Sequence, residues 1–151
     1  MKFDFDKILC MFCALDASSH SFRRIDWQNK EMNLFYSCPA ESKKYFERET
    51  VIHHFDTELA NNENNSWAWI VDCKGFTMKH GTEISSIIEL ADLITNKYAN
   101  CPLKKIWIIN TNSIVSFVIR MILPFIPGSI SNVIETTDKT VEQIQAMRFV
   151  L

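Results

Sequence analysis

Two short stretches, Ser66 to Cys73 and Lys104 to Thr111, constrain the fold more than anything else in the chain. Each is nearly continuous in apolar residues over a length that suits a strand. Strands apolar on both faces belong in sheets that are covered on both sides, and such sheets are mainly parallel. Between them, Ile84, Ile87, Ile88, Ala91, Ile94 and Tyr98 recur at helical spacing, so a helix is predicted from about Thr82 to Lys97. Strand, helix and strand in this order form a βαβ unit with a right-handed crossover.

The alternation extends in both directions. Met32 to Cys38 reads as a strand closed by Pro39, and Pro39 with Glu41 marks a helix start. That helix is predicted to run to about Ala60. Its stripe is Tyr45, Ile52, Phe55 and Leu59, and Lys43 pairs with Glu47 across one turn. The polar run Asn61 to Asn65 ends it. Ser113 to Leu123 reads as a helix that is apolar nearly all round except at Arg120, ended by Pro124, Pro127 and Gly128. A last short strand is expected over Ile130 to Glu135 and an amphipathic helix over Thr140 to Arg148. The start of the chain is less regular. Phe3 and Phe5 alternate with Asp4 and Asp6 as at a strand edge, Ile8 to Leu15 fits a buried strand or a short helix, and Asp16 to Ser19 is a turn. The expected class is α/β: one domain over residues 1–151, with a mainly parallel sheet of four to five strands, flanking helices and a βα superhelical arrangement.

Composition removes several functions. At 47% hydrophobic and 23% charged residues, the chain is neither disordered nor a coiled coil. A net charge of −2 provides no positive field to recruit nucleic acid. The 3 glycines, Gly75, Gly81 and Gly128, cannot make a G-x-G-x-x-G loop or a Walker loop. The N-terminus is acidic before its apolar run, and the runs Ile8 to Leu15 and Ile114 to Ile126 are too short to span a bilayer. A soluble, cytoplasmic protein is expected.

The residues able to carry chemistry are few. Cys10-Met11-Phe12-Cys13 is a C-x-x-C, but no second pair with matching spacing exists, and Met and Phe fill its middle. The pair reads as buried small hydrophobes, so all 5 cysteines are expected to be reduced and free of metal. His53 and His54 diverge by about 100° on a helix and do not share a metal; one is expected to be buried and one solvated. His80 reads as a turn residue. Asp72 closes a strand and reads as an acceptor for backbone N–H groups of the loop after it. No catalytic pair emerges, so no enzyme and no cofactor are expected.

Two stretches resemble the CRAL-TRIO lipid-binding domain, the family of phosphatidylinositol transfer proteins and of the retinal- and tocopherol-binding proteins. Trp69-Ile70-Val71-Asp72-Cys73-Lys74-Gly75-Phe76-Thr77 is similar to the family's strand ending Asp-x-x-Gly. Tyr98, Leu103 to Asn110 and Ile122-Leu123-Pro124-Phe125-Ile126 resemble its tyrosine, its central strand ending Ile-Ile-Asn and its Lys-Pro-Phe-Leu after the helix that gates the pocket. The family's Asn-Ala-Pro is Asn110-Thr111-Asn112 here. Its last-strand Lys-Ile, where the lysine helps bind phosphoinositide, is Asn132-Val133. A second resemblance is to the STAS domain, a protein-interaction module, over Ile134 to Ile144.

The resemblance to the lipid-binding family implies a non-enzymatic binding module for a lipid or other apolar small molecule, acting as carrier or sensor. It also admits a peripheral membrane contact or a protein partner. The alternative is a STAS-like interaction domain with a filled core. On the first reading the pocket lies between the central strands and helix 113–123. Trp69, Trp107 and Ile109 are expected on the sheet side, and Phe117, Met121 and Phe125 on the mobile side, around a space of at least several hundred Å3.

Overall fold

The computed structural model describes residues 10–29 and 31–147. After a short helix α1 (Met11–Leu15) come strands β1 (Arg23–Ile25) and β2 (Asn33–Ser37), helix α2 (Arg48–Ala60) and strand β3 (Trp67–Asp72). Helices α3 (Met78–Gly81) and α4 (Ile84–Asp92) lead to β4 (Leu103–Ile109), then α5 (Ser113–Ile122), α6 (Gly128–Ser131), β5 (Ile134–Thr136) and α7 (Val141–Gln145). The sheet order is β1-β2-β3-β4-β5, with β1 antiparallel to β2 and every other pair parallel.

Because successive parallel strands are neighbours, crossovers of one hand lay their helices on one face. That face holds the larger core. Phe22, Phe35, Trp67, Ile106 and Ile108 meet Phe55 and Leu59 of α2, Leu90 and Ala91 of α4, and Val115, Val118 and Ile122 of α5. The opposite face buries Leu34, Ala68, Ile70, Trp107 and Ile109 under Ile144 of α7. Both faces of β3 and β4 are therefore covered, which is why their sequences are apolar throughout. Burying each large side chain contributes about 1.5–3 kcal/mol, and Phe22 stacks on both Phe55, at 4.0 Å between centroids, and Phe35, at 4.9 Å.

Local structure departs from the sequence pattern where another segment takes the backbone donors. The helix expected from residue 40 begins only at Arg48. Pro39–Glu41 is a single 3₁₀ turn, and the N–H groups of Lys43 and Lys44 donate to Ser18 O and Ser19 O at 3.1 and 2.9 Å. Those donors are thus lost to a helical ladder. Lys43 pairs with Asp16 at 3.1 Å, and Glu47 is paired by Lys44 at 3.2 Å. The helix predicted over 82–97 is preceded by α3 and ends in a π turn over Leu93–Lys97. Ile130 belongs to α6, so the last strand starts at Ile134. Part of the Ile8 to Leu15 run is the short helix α1. The expected strand edge at Phe3 and Phe5, and Arg148 at the end of the last helix, lie outside the described residues.

Two glycines are required by their surroundings. Gly75 has φ +77° in the turn after β3, a conformation that disfavours other residues. A Cβ at Gly81 would lie 2.9 Å from Val118 Cγ2, so α3 sits against α5 only because this position lacks a side chain.

Candidate functional site

The helices on the larger core face do not fill the space they enclose. A cavity of about 200 Å3 remains between the sheet and α2, α4 and α5. Trp69 and Val71 of β3, and Ile106 and Ile108 of β4, form its floor. Val51 and Phe55 of α2, Leu90 and Ala91 of α4, and Val115, Val118 and Ile122 of α5 form its walls. Strand periodicity explains the floor. Trp69 is in register with Ile106 and Val71 with Ile108, so these four project to the same side.

The few polar side chains around the cavity are already engaged. Ser37 Oγ accepts the indole N–H of Trp69 at 2.8 Å, and Ser21 Oγ accepts the Cys38 N–H at 3.0 Å. Ser42 donates to Ser19 O at 2.9 Å and Tyr45 to His80 O at 2.8 Å. Ser86 lies 3.4 Å from Glu83 Oε2 and His20 Nε2 lies 3.2 Å from Thr50 Oγ1. A guest in this cavity therefore meets hydrocarbon and polar groups whose hydrogen bonds are made elsewhere. That suits an apolar molecule and gives a charged headgroup no counter-charge.

Of the residues the sequence nominated, the cavity takes Trp69 alone. Trp107 and Ile109 lie on the opposite face of the sheet, in the smaller core. They alternate with Ile106 and Ile108 along β4, and Trp107 is in register with Ile70. Phe117, Met121 and Phe125 point outward, at 51%, 38% and 66% exposure. On a helix apolar nearly all round, the inner stripe is Val115, Val118 and Ile122. Strand parity was the signal available for Ile106 and Ile108. The space is also smaller than expected, below the ~300–1,000 Å3 usual for ligand pockets.

The carboxyl ends of β3 and β4 carry a carboxylate that accepts on both of its oxygens. Asp72 accepts from Tyr36 OH at 2.8 Å, from Lys74 N at 3.0 Å and from Asn110 Nδ2 at 2.9 Å. Asn110 holds φ 53° to reach it. Asn112 caps α5 by accepting the Val115 N–H at 2.9 Å. His80 closes a capping box with Thr77 on α3, where it accepts the Thr77 N–H at 3.0 Å.

A second cluster lies beside the cavity. Cys10, Cys13, His20 and His54 bring their Sγ and ring nitrogen atoms within 4.8 Å of one another. The two imidazoles stack at 4.7 Å between centroids. Burial, with the neighbouring His54, pushes His20 down to about 4, and burial lowers His54 as well. Burial and the adjoining Cys10 push the Cys13 thiol up to about 11. His53, one residue away from His54, is exposed. The expectation of a metal-free C-x-x-C rested on the missing second thiol pair; the fold instead brings two histidines to the same point.

The family model described as CRAL/TRIO domain matches residues 40–147. The chain belongs to the CRAL/TRIO family. That span begins at the 3₁₀ turn after β2 and ends after α7, so it contains the whole cavity wall from α2 to α5 and most of the sheet. The five-stranded, mostly parallel sheet with flanking helices is consistent with the family's fold. A CRAL/TRIO domain implies binding of a lipid or other small apolar ligand, and its members are mostly lipid transfer proteins. A search of curated proteins returns no match.

Proposed function

We propose that this CRAL/TRIO domain is a non-enzymatic carrier or sensor that encloses an apolar small molecule between its sheet and helices α2, α4 and α5. The observation that carries the reading is the apolar cavity of about 200 Å3 floored by Trp69, Val71, Ile106 and Ile108. Its size suits a compact hydrophobic ligand. A longer lipid chain requires α5 to move outward, and the break at Pro124 and Pro127 behind that helix supplies a hinge. The non-enzymatic part is supported by Asp72, both of whose oxygens already accept hydrogen bonds, from Tyr36, Asn110 and the Lys74 N–H.

Loading requires a source of ligand, and a membrane surface is the source this reading adopts. Phe117, Met121, Leu123 and Phe125 are exposed on α5 and the turn after it, on the outer side of the helix that walls the cavity. No helix among the described residues is long and apolar enough to cross a membrane, so the contact proposed is peripheral. The cysteines Cys10, Cys13, Cys38, Cys73 and Cys101 are free thiols, which favours a cytoplasmic setting.

The direct test is native mass spectrometry of the purified protein, followed by organic extraction and identification of what is released. The reading expects one apolar molecule per chain, recovered without a phosphorylated headgroup. Protein that carries nothing, and takes up nothing from mixed lipid vesicles, would contradict it.

A further inference from the structure

Four potential metal ligands converge where the N-terminal segment meets α2. Cys13 Sγ lies 3.5 Å from His20 Nδ1 and 3.5 Å from His54 Nδ1, and Cys10 Sγ lies 3.7 Å from His20 Nδ1. A tetrahedral zinc ion with Zn–S near 2.3 Å and Zn–N near 2.0–2.1 Å needs S···N edges of about 3.6 Å. These three distances match three of the four S···N edges of such a tetrahedron, and all four ligand atoms lie within 4.8 Å of one another.

The hydrogen-bond chemistry fixes which nitrogen of each ring is available. His54 Nε2 lies 2.6 Å from Phe22 O. A carbonyl only accepts, so Nε2 carries the proton and Nδ1 presents a lone pair toward Cys13. His20 Nε2 lies 3.2 Å from Thr50 Oγ1. The Thr50 hydroxyl proton is already given to Glu47 O at 2.8 Å, so this oxygen accepts from His20 Nε2–H and the His20 Nδ1 lone pair also faces the thiols. Outer partners that orient the far nitrogen in this way are characteristic of histidine ligands to metals.

The geometry points to a structural Cys2His2 zinc site formed by Cys10, Cys13, His20 and His54. With four protein ligands the site is closed, so it stabilises and does not catalyse. Binding converts each thiol to a thiolate and releases its proton to solvent. The ion would join α1 and the segment through His20 to α2. His20 also lines the cavity, so the clamp would close one end of it. The inference stands on the cluster alone and does not depend on the ligand reading.

The test uses the full chain, reduced and stripped of metal, titrated separately with zinc and with Co(II). The expected result is saturable binding of one ion per chain, and Co(II) bands of a tetrahedral thiolate site. Cys13→Ser should abolish those bands. Thr50→Val, which removes only the partner of His20, should weaken zinc by about 10–100-fold, read by competition with a chromophoric chelator, with the far-UV spectrum unchanged. Reduced wild-type protein that shows no one-to-one binding overturns the inference. Binding that survives both Cys13→Ser and Thr50→Val undiminished overturns it equally.

Discussion

The indole N–H of Trp69 donates to the hydroxyl of Ser37 across 2.8 Å, tying the aromatic floor of the cavity to the neighbouring strand. Ser37 is buried, so removing its hydroxyl leaves that donor unpaired. Ser37→Ala is expected to destabilise the domain by about 1–3 kcal/mol, the usual cost of an unsatisfied buried polar group. Equilibrium urea unfolding measures it, and an unchanged midpoint would show that Trp69 is held by packing alone.

The contact between α3 and α5 predicts a compensating pair. Gly81→Ala brings a methyl against Val118 Cγ2 and is expected to cost about 1–3 kcal/mol through overpacking. Val118→Ala in the same chain makes room and should recover part of the loss. Purely additive losses in the double mutant would place the strain elsewhere.

The tyrosines give an alkaline signature. Burial and the Asp72 carboxylate raise Tyr36 well above the ordinary phenol range, burial raises Tyr45, and burial with Asp56 raises Tyr98. The folded state therefore keeps phenol protons that the unfolded chain releases above about pH 10. The stabilisation is complete below that pH and is lost as the pH rises toward the folded values. Absorbance near the tyrosinate band should stay flat at moderately alkaline pH, while the urea midpoint falls from about pH 10 upward. Early tyrosinate formation in folded protein would contradict the hydrogen bonds to Asp72, His80 and Asp56.

The outward aromatic residues separate membrane docking from stability. Phe117→Ser with Phe125→Ser removes exposed side chains, so stability should change by no more than about 0.5 kcal/mol per site. Cosedimentation with lipid vesicles should fall sharply. A double mutant that binds vesicles as the wild type does would move the docking surface elsewhere.

What the sequence made legible follows from how much of each signal is local. β3 and β4 were readable because apolar residues occupy both of their faces, and the parallel pairing followed from the helix between them. β1 was not, because Arg23 and Arg24 on an edge strand look like loop; the Arg23 guanidinium lies over the Tyr36 ring at 4.9 Å. The helix start at Arg48 was hidden because Ser18 and Ser19, far back in sequence, take the donors of Lys43 and Lys44. Trp69, Trp107 and Ile109 were grouped on one sheet side, yet Trp69 faces the cavity while Trp107 and Ile109, of opposite strand parity, face the smaller core. A helix as apolar as α5 gives no periodic signal of which stripe faces inward. The thiol and imidazole cluster draws its members from three separate segments, so local spacing did not show that His20 and His54 meet the C-x-x-C.

The occupancy of the cavity is tested most directly by filling it. Ala91 is buried on α4 and lines the space, so Ala91→Phe places a ring where the ligand would sit. Binding of a small, uncharged apolar fluorophore is measured for the wild type and this variant, alongside melting temperature. The account predicts one saturable site in the wild type, its loss in Ala91→Phe, and a melting temperature equal to or above that of ligand-free wild type. Undiminished binding in a folded Ala91→Phe protein would contradict it.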